Sequence, residues 1–402
     1  MTTVLISGAS VAGPALAYWL HRYGYTPTIV ERAPAPRPGG YAVDFRGASM
    51  TVLERMGLLS AVQEKATRLG EIEYVDASGR RVASTAPVAL SGELEILRGD
   101  LVEILYATTA ETTEYLFGDS IRSLAEDETG VQVVFESGLQ RRFDLVVGAD
   151  GLHSTVRRLA FGPESSYLHD LGYYVSVSTV PNHMELDYAG RLYNEPGKTI
   201  GAYSARQNTE AKALFYFAAD NLDHDRRDTA AQKELVTWQF AGVEWKEAPR
   251  LVAEMRQAGD FYFDSISQIK LDSYSRGRVA LVGDAGYCAS PLSGMGTSLA
   301  IVGAYVLAGE LHASGGDHLR AFAAYDERMR GFVAACQKQA LEGARWFVPA
   351  TKWFLKVRNL TYRMMPYLPW RNLIEEMSLK VGNAIELTAY EDSRPRPAAP
   401  RR

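Results

Sequence analysis

The sequence contains little of what several specialised protein classes depend on. Only two cysteines, Cys288 and Cys336, occur among 402 residues, which excludes a disulfide framework, and neither has the spacing of a metal ligand. No apolar run reaches the roughly 18 residues that a membrane-spanning helix needs. The net charge of −5 offers no basic surface for nucleic acid. We therefore expect no metal, no nucleic-acid partner and no transmembrane segment.

Signals for export are also lacking. The first strand-like stretch begins within three residues of Met1, which leaves no room for a signal peptide. Together with the few cysteines, this favours a cytoplasmic protein. With 47% apolar and 23% charged residues, the chain can bury a large core, and we expect two closely joined domains in a monomer or homodimer.

The N-terminus has the pattern of a Rossmann βαβ unit. A buried-strand pattern at Thr3–Ser7 precedes the loop Gly8–Gly13, the helix Pro14–Tyr23 and a second strand, Thr28–Val30, which ends in Glu31. In such a unit a pyrophosphate binds at the helix N-terminus and the acidic residue accepts hydrogen bonds from a ribose. The pattern predicts a bound dinucleotide.

Each glycine of this loop has a distinct expected role. Gly8 would form the tight turn and Gly13 would allow close packing of the helix. Ser10 replaces the usual middle glycine, and its small side chain still lets a pyrophosphate approach. The loop and the acidic residue supply the first predicted cofactor-binding residues: Gly8, Ser10, Val11, Ala12, Gly13 and Glu31.

A second glycine-containing run follows the apolar stretch Val279–Val282 and leads into the helical pattern Leu299–Ala308. Asp284, at the end of a buried strand, would accept hydrogen bonds from sugar-like hydroxyls. Gly294 and Gly296 would let a ligand approach the backbone N–H groups at a helix start. Alone, this run could also be a structural turn, although ligand binding is the favoured interpretation.

A third segment combines the strand-like Phe143–Gly148 with Asp150–Gly151 and a helix start near Thr155. The three segments, in this order and at these separations, resemble the single-component flavin-dependent aromatic hydroxylases, the family of p-hydroxybenzoate hydroxylase and the tetracycline-inactivating monooxygenases. The resemblance covers roughly residues 1 to 335.

The resemblance implies FAD as cofactor. It places the first motif on the ADP moiety, Asp284 on the ribityl and pyrophosphate region, and the loop Pro291–Thr297 beside the isoalloxazine ring. Asp150 would lie close to both FAD and a transient nicotinamide nucleotide. From this second group the predicted cofactor-binding residues are Asp150, Asp284, Pro291, Gly294, Gly296 and Thr297.

Three arginines fit the same resemblance. Arg98 matches an arginine that precedes a helix beside the flavin. Arg46 stands where a basic residue near flavin or phosphate is common, although a surface arginine paired with Asp44 explains it equally well. Arg32 resembles a residue near the adenosine, with a solvated surface charge as the alternative. Gly286, Tyr287 and Ser298 depart from the common family residues, so the wall of the active site should differ.

The expected fold class is α/β, a Rossmann-like FAD-binding domain with an inserted antiparallel β-sheet substrate domain and C-terminal helices. Residues 1–75, 95–165 and 270–335 are predicted to form the FAD-binding domain, and 76–94 and 166–269 the substrate domain. Alternating runs such as Tyr173–Thr179 and Ala213–Ala218 indicate the inserted strands. One face of this sheet should cover the flavin and the other should face solvent.

Residues 336–390 are predicted to form a C-terminal helical segment, followed by a disordered tail at 391–402. The segment is rich in aromatic and basic residues. It could lie on a membrane surface, or it could pack across the flavin domain or close the substrate cleft, and we favour packing.

The predicted reaction follows from the flavin. Because the chain has only one dinucleotide-binding glycine fingerprint, NADPH or NADH is expected to bind transiently as co-substrate. The reduced flavin would react with O2, and the resulting C4a-hydroperoxyflavin would hydroxylate an aromatic or polyketide-like small molecule. Such a reaction suits antibiotic biosynthesis or inactivation.

The substrate contacts are less clearly indicated. Tyr193, Tyr203, Tyr216 and Tyr287 could bind a phenol, and Tyr203, Tyr216 and Tyr287 are the candidate catalytic residues. An aromatic wall could be built from Phe215, Phe217, Trp238 and Met255. Each of these could instead be ordinary packing, and His153 is expected to be a surface residue.

Two other functional classes remain open at this point. One is a flavoenzyme that inserts no oxygen, such as an oxidase, a dehydrogenase or a halogenase, although the Trp-x-Trp-x-Ile run of halogenases is absent. The other is a protein that binds flavin or a drug without catalysis.

Overall fold

A computed structural model of the chain describes residues 1–37, 39–85, 92–220, 222, 224–367 and 373–390. The tail 391–402, for which the sequence predicts disorder, lies outside the described residues. The strands are β1 (Thr3–Ser7), β2 (Thr26–Glu31), β3 (Ala42–Phe45), β4 (Ile72–Val75), β5 (Arg81–Thr85), β6 (Leu94–Leu97), β7 (Glu114–Phe117), β8 (Ile121–Asp127), β9 (Gly130–Phe135), β10 (Gln140–Phe143), β11 (Leu145–Gly148), β12 (Leu168–Pro181), β13 (Gly190–Glu195), β14 (Lys198–Ala205), β15 (Glu210–Ala218), β16 (Tyr262–Ile269), β17 (Ser275–Arg276) and β18 (Val279–Leu281).

The α-helices are α1 (Ala12–Arg22), α2 (Ala48–Met56), α3 (Leu59–Glu64), α4 (Arg98–Thr109), α5 (Thr155–Ala160), α6 (Thr229–Gln239), α7 (Ala248–Gln257), α8 (Asp284–Tyr287), α9 (Gly296–Ala313), α10 (His318–Phe347), α11 (Lys352–Met364) and α12 (Leu373–Gly382). Short 3-10 turns occupy Glu164–Ser166, Pro291–Ser293 and Met365–Tyr367.

The first layer is a six-stranded sheet in the order β17-β18-β11-β1-β2-β7, in which β18, β11, β1, β2 and β7 run parallel. Side chains alternate between its two faces. Val4 and Ile6 pack with α1 and α9, whereas Leu5 packs with the small sheet β10-β9-β8. The predicted Rossmann-like α/β fold is confirmed, although the sequence did not indicate the small sheet.

The second layer is a seven-stranded sheet in the order β16-β12-β15-β14-β13-β4-β5. It is antiparallel apart from the parallel pair β13 and β4. Because β4 begins at Ile72, this sheet includes residues 72–75, which the sequence predicts to belong to the FAD-binding domain.

The sequence predicts that the second face of the seven-stranded sheet is exposed to solvent, but in the structure this face is covered. Phe215 and Val236 belong to a buried cluster that joins this face to α6 and α7. The alternating runs indicated the strands, but they carry no information on the helices α6 and α7 that lie between β15 and β16 in the chain. The expectation of a solvent-facing side is therefore wrong.

Helix α10 runs without a break across the predicted boundary at residue 336. Beyond it, α11 packs on the edge of the seven-stranded sheet, where its Arg358 is fully buried. The guanidinium lies 4.3 Å from the ring centroid of Tyr74 and donates to Asn194 Oδ1 at 2.9 Å. These contacts favour the packing interpretation of this segment. Among the described residues, no helix is both long and apolar enough to cross a membrane.

Candidate functional site

A cavity of about 2090 Å³ lies between the two large sheets. It opens at the carboxyl ends of β1, β2 and β11, which is where parallel sheets bind their ligands. Most residues predicted to bind the cofactor line it together: Gly8, Ser10, Val11, Ala12, Glu31, Arg32, Arg46, Arg98, Asp150, Asp284, Pro291, Gly294, Gly296 and Thr297. The structure therefore brings the three separated motifs to one site.

Gly13 does not line the cavity, because it lies at the contact between the loop and helix α1. A Cβ at this position would lie 1.9 Å from the Gly8 carbonyl oxygen, so a side chain would force the loop and the helix apart. This is the packing role expected for Gly13. Ser10, in place of the usual glycine, accepts a hydrogen bond from Arg98 Nη1 at 3.1 Å. Arg98 begins α4, so the substitution joins the loop to a neighbouring helix.

Glu31 ends β2 as an ionised carboxylate at the cavity wall. It accepts hydrogen bonds from the N–H groups of Ala9 and Ala33, both at 2.9 Å, and from Arg37 at 3.3 Å. Burial opposes the charge, but these hydrogen bonds hold the pKa of Glu31 below its usual value. Arg32, the next residue, is exposed at the edge of the cavity.

Asp150 organises the third motif. Its carboxylate accepts hydrogen bonds from the N–H groups of Thr155, at 2.9 Å, and Val156, at 3.1 Å. These bonds stabilise the N-terminus of α5. Burial nevertheless raises the pKa of Asp150. The residue both lines the cavity and fixes the adjoining turn.

The loop between β18 and α9 forms a further part of the wall. Asp284 begins α8, and burial raises the pKa of its carboxyl group. Gly294 has φ +61°, a left-handed conformation that favours glycine, just before α9 begins at Gly296. The first turn of α9 therefore presents free backbone N–H groups and its positive dipole end at the cavity.

Arg46 both pairs with Asp44 and lies at the cavity, so each of the two interpretations that the sequence left open is partly correct. Its Nη2 lies 3.2 Å from Asp44 Oδ2, so the ion pair exists, but Arg46 is only 4% exposed and lines the cavity. Burial is the largest influence on Asp44 and raises its pKa to about 6, against the opposing effect of Arg46. Arg46 is therefore not a surface arginine.

His153, which the sequence predicts to lie at the surface near the cofactor, keeps 28% of its side chain exposed. It is partly buried at the cavity wall, with Nδ1 at 3.0 Å from Glu164 Oε2 and Nε2 at 3.2 Å from Asp264 Oδ1. Burial disfavours its charged form, but the hydrogen bonds to these carboxylates raise the pKa of His153. Asp264 lies on β16, so only the tertiary fold could bring it here.

The strand alternation decides which substrate candidates reach the cavity. On β15, Leu214 and Tyr216 line it, whereas Phe215 and Phe217 point to the opposite face and pack in the cluster with α6 and α7. Burial raises the pKa of Tyr216. If one cavity-facing residue of β15 had been known, the alternation in the sequence would have identified the others.

Tyr203 is the second candidate at the cavity, where its hydroxyl oxygen accepts the Ala42 N–H at 2.9 Å. Tyr193 lies on the opposite face of the sheet, stacked with Trp245 at 6.0 Å. Its assignment to the substrate is therefore corrected, as are those of Phe215 and Phe217.

Three other candidates also lie away from the cavity. Tyr287 is fully buried below the motif loop, with its hydroxyl 2.8 Å from that of Tyr325. Trp238 is 74% exposed on α6, and Met255 is buried among the residues that join α7 to the sheet. None of the three lines the described cavity.

Sequence reasoning missed several aromatic and apolar residues of the wall. Tyr41 and Tyr262 lie with ring centroids 5.4 Å apart, and burial raises the pKa of Tyr41 to about 12. Further lining residues come from β12, α10 and α11: Val175, Val177, Phe347 and Tyr362. No local pattern marks them, because each reaches the cavity through a long-range contact.

The residues present fit FAD. One end of the cavity offers a glycine loop, a helix N-terminus and the charged Glu31, which suit a pyrophosphate and a ribose. The other end is walled by Tyr203, Tyr216 and Leu214, which suit flat apolar rings. Within the part of the chain that the structure describes, Arg46 Nε is a buried donor with no hydrogen-bond partner, as expected of a group that serves a ligand.

Comparisons with known proteins agree with this geometry. A family model described as FAD binding domain matches residues 1–338. A flavin-dependent monooxygenase of Legionella longbeachae is 38% identical over 97% of this chain and 98% of its own length. An uncharacterised protein of Mycobacterium tuberculosis, Rv1260, is 52% identical over 83% of this chain and 91% of its own.

Among solved structures, the tetracycline destructase Tet(51) superposes with a TM-score of 0.85 at 36% identity. The match covers 97% of this chain and 99% of that one. The similarity therefore extends over both large sheets and the C-terminal helices.

Proposed function

The chain belongs to the family of class A FAD-dependent hydroxylases and monooxygenases, and on this premise we propose that it uses NADPH or NADH and O2 to hydroxylate an aromatic or polyketide-like small molecule. The observation that carries the proposal is that the wall of one cavity joins the cofactor motifs to the apolar face of the second sheet. An oxygen atom activated at the cofactor would thus meet a substrate in the same enclosure.

FAD would be held by this chain's own polar groups. The glycine loop and the N-terminus of α1 would receive the pyrophosphate, and Glu31 the adenosine ribose. Asp284 would hold the ribityl chain, and the start of α9 would face the ring system. When bound, FAD supplies the redox chemistry, since it can accept two electrons from a nicotinamide and pass them to O2.

Cationic side chains at the cavity support transient binding of a nicotinamide dinucleotide. Arg158, Arg226 and Arg227 all line the cavity, and Arg226 contacts His153, which follows the Asp150–Gly151 turn. Arg226 is about half-exposed and pairs with Glu164 at 2.9 Å, so its guanidinium is accessible to a phosphate. A dinucleotide held only at such an exposed edge can leave after hydride transfer.

The wall beyond the motifs supports a flat, partly phenolic substrate. Leu214, Val175 and Val177 offer apolar contact, and Tyr203 and Tyr216 offer hydroxyl groups for hydrogen bonds. The low-dielectric surroundings would also exclude water from the reacting atoms. Tetracycline, the compound in the name of the similar destructase, is a polycyclic phenol of this kind.

Anaerobic stopped-flow reduction followed by an isotope experiment tests the proposal. The FAD-loaded protein is reduced with NADPH or NADH, mixed with 18O2 and offered a panel of phenolic polyketides that includes tetracycline. We expect faster reduction with one compound and one 18O atom in its product, by mass spectrometry.

The other outcomes separate the alternatives. Flavin reduction with hydrogen peroxide as sole oxygen product would favour an oxidase. Tight binding of a panel compound without any NAD(P)H oxidation would favour a sequestering protein. Either result would refute the monooxygenase assignment.

A further inference from the structure

Two acidic side chains face each other across a short antiparallel pair at the cavity. Asp44 on β3 and Glu95 on β6 are direct register partners, and each is 9% exposed. Like charges directly opposite on a sheet repel, and burial away from water makes two full charges costly. The pair therefore needs compensation from its surroundings.

The described surroundings compensate only one of the two charges. Arg46 Nη2 lies 3.2 Å from Asp44 Oδ2, and the Thr67 hydroxyl donates to Glu95 Oε1. From β14 the neutral phenol of Tyr203 faces the pair, close enough for Glu95 to influence its ionisation. Two carboxylates and one guanidinium leave one negative charge, which a single proton would remove. Burial and the neighbouring Asp44 raise the pKa of Glu95, in agreement with that count.

The pair also adjoins the loop that precedes α9. A Cβ at Gly294 would lie 3.2 Å from Asp44 Oδ2 and 3.5 Å from Arg46 Nη2. Asp44, Glu95 and Arg46 all line the cavity, and Arg46 Nε has no hydrogen-bond partner among the described residues although only 4% of Arg46 is exposed. A buried donor without a partner at this place points to a ligand that completes the site.

We propose that Asp44 and Glu95 hold one proton between them and act as the acid–base group of the cavity beside Gly294. The shared proton passes to an anionic oxygen or nitrogen of a bound ring, so that a carboxyl O–H bond breaks and a ligand O–H or N–H bond forms. The pair then keeps one additional negative charge, which Arg46 stabilises until a proton returns from the cavity. The catalytic use of the proton rests on the proposed function, whereas its presence on the pair does not.

Infrared difference spectra between the wild-type protein and each variant, all FAD-loaded and at pH 7.5, test where the proton is. We expect the wild-type protein to show the carbonyl band of a protonated carboxyl group, which shifts in D2O. Glu95→Gln and Asp44→Asn should each abolish this band. Asp326→Asn is the matched control, because Asp326 is equally buried at 9% exposure but lies outside the cavity lining. Its substitution should leave the band unchanged.

Two results would overturn the shared proton. One is the absence of any band that depends on Asp44 or Glu95, which would mean that both are ionised. The other is a band lost in only one of the two variants, which would place the proton on a single carboxyl group. Circular dichroism and flavin content verify that each variant is folded and loaded.

The acid–base role needs a second measurement, the pH profile of kcat/KM for oxygen insertion. In Glu95→Gln we expect kcat to fall roughly 100-fold and one ionisation to disappear from the profile. An unchanged profile beside a confirmed infrared band would show that the proton is only structural. If no panel compound is oxygenated at all, the proposed function fails, but the infrared result remains decisive for the proton.

Discussion

Truncation of Phe215 on β15 should mainly lower stability, whereas truncation of its neighbour Leu214 should mainly lower kcat/KM. Phe215 is fully buried and meets Phe240 edge to face at a centroid distance of 5.2 Å. Phe215→Ala should therefore cost about 3–5 kcal/mol of stability, the usual range for a buried phenylalanine. Leu214 is only partly buried and already borders an open cavity, so Leu214→Ala should cost about 1 kcal/mol or less, because little new void is created.

The effects of the two substitutions on kcat/KM should have the reverse order. Leu214→Ala removes apolar contact with the substrate, and a lost contact of this size is worth roughly 1–3 kcal/mol, or 10- to 200-fold in kcat/KM. Phe215→Ala should leave kcat/KM within about threefold of the wild type at a temperature where the variant is folded, since a change of this size corresponds to less than about 1 kcal/mol.

Thermal unfolding and substrate-stimulated NADPH oxidation measure the two quantities on the same preparations. The substrate is the compound that incorporates 18O. If Leu214→Ala destabilises the protein as strongly as Phe215→Ala, or if only Phe215→Ala lowers kcat/KM, the assignment of cavity-facing residues on this strand is wrong.

Three further predictions concern the cofactor, the co-substrate and pH. Asp284→Ala should empty the protein of FAD while circular dichroism stays native; a flavin absorbance at wild-type occupancy would contradict the role of this carboxylate. Arg226→Gln should raise KM for NADPH several-fold at unchanged flavin content, whereas the exposed control Arg250→Gln should not; equal KM values in both variants would exclude Arg226 from the nucleotide site. Glu95→Gln should reduce the pH dependence of Tm. Because the folded pKa of Glu95 is raised, its stabilising contribution is complete below the ordinary glutamate pKa of 4.5 and is lost as the pH rises. The wild type should thus lose stability relative to the variant as the pH rises above 4.5. Parallel Tm profiles would refute this.

The local motifs carried much of the prediction. Gly8, Gly13 and Glu31 lie within one strand-helix-strand unit, and the structure forms that unit over β1, α1 and β2. The alternating runs likewise marked β12 and β15. These signals are readable because backbone periodicity and glycine sterics act over a few neighbouring residues.

The substrate side was predicted less well for a physical reason. Five of the aromatic candidates point away from the cavity or lie outside it: Tyr193, Phe215, Phe217, Trp238 and Tyr287. Alternation separates the two faces of a strand, but it does not state which face meets a ligand. That choice depends on which elements cover the other face, and here α6 and α7 do so.

The sequence alone indicated the family, the α/β fold and the cofactor motifs, because each motif consists of residues close together in the chain and the order of the motifs is written in the sequence. Only the tertiary structure decided that His153 lies between Glu164 and Asp264, that Arg46 is buried, and that Asp44 faces Glu95. Those environments arise from contacts between distant segments, and burial changes the cost of a charge in a way that no local pattern records.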